Sequence, residues 1–91
     1  MSVLLISYTL RQPGKDYEPL WAALRKFKHC HALESAWFID TNIGPADVRT
    51  ALCKLVDQND QIYVNRLHQH WAACRKEQCS EWLKSPERTW D

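Results

Sequence analysis

The chain lacks any apolar run near the roughly 18–20 residues that a bilayer span requires. Its first ten residues, MSVLLISYTL, have an apolar stretch too short, and too poor in flanking basic residues, for a signal peptide. Both absences point to a cytoplasmic protein, in which thiols stay reduced. Charge of one sign is also missing: the net value is +1, so bulk electrostatics announce neither a nucleic-acid nor a membrane partner. Cys30, Cys53, Cys74 and Cys79 contain no CxxC spacing, which excludes the signature of a zinc ribbon or a disulfide framework and leaves small buried thiols as the expectation. Glycine occurs only twice, and no glycine marks an oxyanion hole beside a cysteine, so a Cys–His nucleophile has no support.

What is present fits one compact domain. Ninety-one residues cannot bury two cores, and 45% hydrophobic with 25% charged residues is ordinary for a globular chain. Residues 3–8, VLLISY, are apolar on both alternating faces and read as a central strand. Pro13-Gly14 marks a turn, Asp16 is placed to cap the next segment, and Leu20, Trp21, Leu24 and Phe27 recur at helical spacing. In HCHALESAWFIDT, residues 29–41, the apolar runs suggest two strands joined near Glu34 and Ser35. Val48, Ala51, Leu52, Leu55 and Val56 form the stripe of a second helix. After the polar DQND turn, residues 61–67 alternate as a fourth strand, and a short helix is expected around 80–84, stopped by Pro86.

The element order is strand–helix–strand–strand–helix–strand. It predicts an α+β, ferredoxin-like (βαββαβ) antiparallel sheet with both helices on one face. The core would span 1–67, and a tryptophan-bearing tail with its short helix 68–91. The second sheet face would be bare unless the tail or a partner subunit covers it. Five tryptophans in so small a domain favour an interface for some of them, with Trp37 and Trp71 the candidates.

Several constellations carry candidate chemistry. His29 and His31 share a strand face, as do His68 and His70 if the last strand extends, and two HxH pairs have the spacing of a metal chelate. Alternation turns Cys30 away from its flanking histidines. The competing reading of these histidines is surface or interface side chains. Asp40 falls at a strand end, where loop solvation or capping accounts for it. Arg66 is a charge inside a strand pattern and is expected to pair or to face an interface.

Four stretches, YTLRQPGKDYEPLWAALRKF, HALESAWFIDT, DQIYVNRL and HWAACRKEQCSEWLK, together resemble the SinR-like small proteins. These are distant relatives of the non-integrase subunit of the CRISPR adaptation complex and of VapD-type ribonucleases. The resemblance runs over nearly the whole chain, most specifically in PGKDY, in Ser35-Ala36-Trp37 and in the trailing tryptophan segment. It implies a ferredoxin-like homodimer associated with nucleic acid, in a defence or mobile-element setting. Nuclease-active relatives carry a carboxylate at the end of the first strand, where this chain reads Tyr8-Thr9. A threonine hydroxyl does not replace a metal-binding carboxylate. The expectation is therefore a non-catalytic binder without a cofactor, using Arg11, Lys15, Ser35 and Arg66. Two alternatives stand beside it. One is a Mg²⁺- or Mn²⁺-dependent nuclease drawing on Asp16 or Asp40, or a metal-free route through Tyr8 and His31. The other is a small phage-type inhibitor that binds a protein partner and has no nucleic-acid affinity.

Overall fold

A computed structural model describes residues 2–11, 14, 16–75 and 77–90. Pro13, Lys15 and Lys76 lie outside the described residues; of the expected Pro13-Gly14 turn only Gly14 is described, as a turn residue, and the expected binding role of Lys15 lies outside them. The elements run β1 (Ser2–Thr9), α1 (Glu18–Arg25), β2 (Lys28–Leu33), β3 (Ala36–Thr41), α2 (Pro45–Cys53), β4 (Gln61–Arg66) and α3 (Glu77–Lys84). The four strands form one sheet in the order β2-β3-β1-β4, with every neighbouring pair antiparallel. This small α+β architecture is compatible with a ferredoxin-like fold.

Local chemistry explains the boundaries. The Asp16 carboxylate accepts the Glu18 N–H at 2.9 Å, and Pro19 sits in the first turn of α1, where its missing N–H costs nothing. Gly44 precedes α2 without a side-chain cap, and Pro45 takes its first turn as Pro19 does in α1. Gly14 has φ +84°, a backbone conformation that glycine adopts without Cβ strain. The turn between β2 and β3 falls at Glu34 and Ser35, and a register shift between His31 and Leu33 accommodates it. Phe27, expected on the first helix, lies just beyond its end but still packs against the core.

The main core lies between the sheet and the first two helices. Leu4, Ile6 and Tyr8 of β1 and Trp37 and Ile39 of β3 meet Leu20 and Leu24 of α1 and Val48 and Leu52 of α2. Trp37 is 3% exposed, which corrects its assignment to a subunit interface. One domain does accommodate this indole, because it packs between Trp21 and the imidazole of His31.

The tail lies on the other face of the sheet. Cys30 and Ala32 of β2 pack with Cys79 of α3, while Phe38 and Trp82 stack with ring centroids 6.5 Å apart. Cys30 and Cys79 form a disulfide, whereas Cys53 and Cys74 are free and exposed. This corrects the expectation of four reduced thiols and removes that ground for assigning a reducing compartment. Trp90 bridges to Ser2 beyond the helix. No helix among the described residues is long and apolar enough to cross a membrane.

Candidate functional site at the end of the first strand

The C-terminal end of β1 meets the β2–β3 turn and the start of β4. Antiparallel pairing sets Ser7 opposite Tyr63 and Thr9 opposite Gln61. The Tyr8 N–H donates to the Ser35 carbonyl at 3.0 Å, and the Tyr8 hydroxyl donates to the Glu34 carbonyl at 2.8 Å. The Trp37 indole N–H donates to that same hydroxyl at 3.1 Å. Two shallow cavities flank this junction. One, of about 510 Å³, is lined by Tyr8, Thr9, Leu10, Trp21, Glu34 and Ser35. The second, of about 240 Å³, is lined by Ser7, Tyr8, Thr9, Ser35, Gln61 and Tyr63.

An aromatic row lies behind the junction. Tyr8 and Trp21 have centroids 5.4 Å apart, Trp21 stacks on Trp37 at 6.3 Å, and His31 stacks on Trp37 at 4.2 Å. His29 sits 5.3 Å from the same indole, and its Nδ1 lies 2.9 Å from the Phe27 carbonyl. Burial pushes the Tyr8 hydroxyl above its ordinary value of 10.0, partly offset by the hydrogen bond from Trp37. The phenol is thus neutral near pH 7, with its proton committed to a carbonyl. It acts as a brace for the turn, and this arrangement gives no support to a proton-transfer route through Tyr8 and His31.

The other sequence candidates separate. Arg11 is exposed at the loop start, and its N–H donates to Asp60 Oδ1 at 2.7 Å. Asp60 Oδ2 accepts from the Tyr17 hydroxyl at 2.7 Å and from the Asp57 N–H at 2.8 Å, so this carboxylate knots the loop to the start of β4. Asp16 is spent at the entry to α1. Arg66 is exposed at the far end of β4, opposite Leu4. It therefore stands more than a strand length from Arg11, roughly 20 Å at the usual rise per residue.

Asp40 is 4% exposed and pairs with Val3, at the opposite end of the sheet from Tyr8. Its Oδ2 accepts the Thr89 N–H at 3.1 Å, its Oδ1 accepts the Thr89 hydroxyl, and Arg88 Nε stands 3.9 Å away. The readings of Asp40 as a solvated loop acid and as a catalytic carboxylate are both corrected: it anchors the tail. His68 and His70 are exposed in the segment after β4, and the fourth strand ends at Arg66. Among the described residues no three His, Cys, Asp or Glu side chains come together. Among the described residues of one chain, Glu34 is the lone carboxylate lining the strand-end cavities. A single carboxylate does not fit the divalent cation of the nuclease alternative, which requires several oxygen ligands.

The sequence reading passed over Tyr63 and Gln61. Alternation in QIYVNR already separates Gln61, Tyr63 and Asn65 from the core-facing Ile62 and Val64. Tyr63 is 70% exposed, which makes it an aromatic side chain presented to solvent on a polar strip. No protein-family model matches this chain, and no solved structure matches it significantly.

Proposed function

We propose that this chain is a non-catalytic, ferredoxin-like homodimer that binds single-stranded nucleic acid, in the defence or mobile-element setting implied by its SinR-like resemblance. The observation that carries the reading is the exposed Tyr63 ring, flanked by Gln61 and Asn65 on β4 and by Ser7 and Thr9 on β1. A base stacks on an aromatic face without regard to its identity, and neighbouring amides and hydroxyls supply polar contacts. Arg11 is exposed near one end of this strip and would meet a phosphate under this reading. Thr9 at the strand end supports binding without hydrolysis, since it brings no carboxylate to a metal.

Fluorescence anisotropy with labelled single- and double-stranded oligonucleotides tests the proposal. Single strands should bind with an affinity that falls as salt rises, Tyr63→Ala should weaken binding about ten-fold, and Arg11→Gln should reduce the salt slope by about one. Absence of retention at low salt, or full affinity in Tyr63→Ala, would sink the reading. The near-zero net charge favours a second reading, a protein-partner module without nucleic-acid affinity, which the first of those outcomes would select. Mg²⁺- or Mn²⁺-dependent, EDTA-sensitive cleavage of the same oligonucleotides would instead select the nuclease.

A further inference from the structure

A large cavity lies away from the strand-end site, within the tail. It measures about 700 Å³, and its walls include Gln69, Trp71, Lys84, Ser85, Arg88 and Trp90. That volume is within the range of small-molecule sites. Among the described residues that line it, Lys84 and Arg88 are the charged ones, and both are cationic. Two described acids stand beside Arg88, and neither lines the cavity. Asp40 lies behind Arg88 and takes both Thr89 hydrogen bonds, while Glu87 has a side chain 78% exposed and stands 3.4 Å from Arg88 Nη2.

Arg88 is the unusual residue. Its side chain is 4% exposed, its guanidinium carbon stands 4.0 Å from the centre of the Trp82 ring, and its Nε and Nη1 are buried without a hydrogen-bond partner. The 3.9 Å approach to Asp40 is an ion pair without a hydrogen bond. Buried charged donors that fold away from water without acceptors are costly, and an anion that reaches them recovers that cost.

We propose that this cavity binds a small aromatic anion, a carboxylate or phosphomonoester carried on a planar ring. The headgroup would pair with Arg88 and Lys84, and the ring would pack against Trp71 and Trp90. Pairing requires the guanidinium to turn toward the cavity, since both free donors are closed off from solvent. Arginine's planar fork suits carboxylate and phosphate oxygens alike, so the two headgroups share one recognition chemistry.

The test titrates the full-length oxidised chain with phenyl phosphate and with benzoate, read by tryptophan fluorescence and by amide chemical shifts. Inorganic phosphate and benzyl alcohol serve as the ring-free and charge-free arms. At least one aromatic anion should saturate, with the largest shifts around Trp71, Lys84 and Trp90, and which one binds more tightly identifies the preferred headgroup. Lys84→Gln, an exposed substitution that leaves the buried Arg88–Asp40 contact in place, should weaken binding about ten-fold. Arg88→Lys, checked for an unchanged fold by its amide spectrum, should weaken it as well. The proposal is overturned if neither aromatic anion saturates at millimolar concentration or if Lys84→Gln binds unchanged. Benzyl alcohol matching benzoate, or inorganic phosphate matching phenyl phosphate, would equally overturn it.

Discussion

Tyr8 holds together three segments distant in sequence. It donates to the carbonyl of Glu34 in the β2–β3 turn and accepts from the indole of Trp37, while its ring packs against Trp21 of α1. Tyr8→Phe keeps the ring and deletes the hydroxyl, which leaves the buried indole N–H and the carbonyl short of a partner. The expected loss is about 2 kcal/mol of unfolding free energy, measured by urea titration at pH 7. The same hydroxyl adds an alkaline pH dependence. Its folded-state pKa is raised above 10.0, so the folded chain holds the proton more tightly than the unfolded chain does. The contribution is complete below pH 10.0 and declines above it, as the unfolded phenol ionises first, until the pH passes the folded value. The stability gap between the native chain and Tyr8→Phe should therefore narrow above pH 10.0 and stay constant below it. A gap that widens with pH would contradict this assignment.

At the scale of elements, the tail is held to the sheet at several separated points. They are the Cys30–Cys79 disulfide, the Phe38–Trp82 stack, the Asp40 contacts to Arg88 and Thr89, and the Ser2–Trp90 bridge. The disulfide closes a loop across 49 positions, which in the chain-entropy account amounts to about 4 kcal/mol. Cys79→Ser, or reduction by dithiothreitol, should lower stability by about that amount and speed amide exchange in α3 more than in β1. Equal acceleration in both elements would mean that the tail and sheet unfold as one unit. The tail also marks where sequence reading reached its limit. Period-two alternation in KHCHAL fixes which way Cys30 and the two histidines point, and the helical stripes of α1 and α2 name the main core. Alternation says nothing about a partner 49 positions away, so neither the Cys30–Cys79 link nor the burial of Asp40 under Thr89 could be read from local pattern. Trp37 went astray for a related reason: an aromatic count suggests surplus hydrophobic area but does not show that three rings can stack inside one layer. Tyr63 was available from the same alternation that placed Ile62 and Val64, because an aromatic residue on a polar strand face is itself a signal.

For the whole molecule, β4 is the decisive edge. Among the described residues it pairs only with β1; it contains no proline, and Arg66 is its sole charged residue, so little in its sequence blocks a further strand. Antiparallel pairing of β4 with its copy across a two-fold axis would extend the sheet from four strands to eight. It would also set two Tyr63 strips side by side on one face, since facing residues in an antiparallel pair lie on the same side of the sheet. The proposed homodimer and the proposed stacking surface would in this way be linked: dimerisation would double the length of strand that single-stranded nucleic acid can follow, without covering the rings. Native mass measurement at micromolar concentration should give twice the chain mass. Hydrogen exchange should show the β4 amides directed away from β1 becoming protected as concentration rises through the dimerisation range. A dimer whose outward β4 amides exchange freely at all concentrations would place the contact elsewhere. A chain that stays monomeric throughout would remove the homodimer from the proposed function, while leaving the Tyr63→Ala binding measurement as an independent test of the surface.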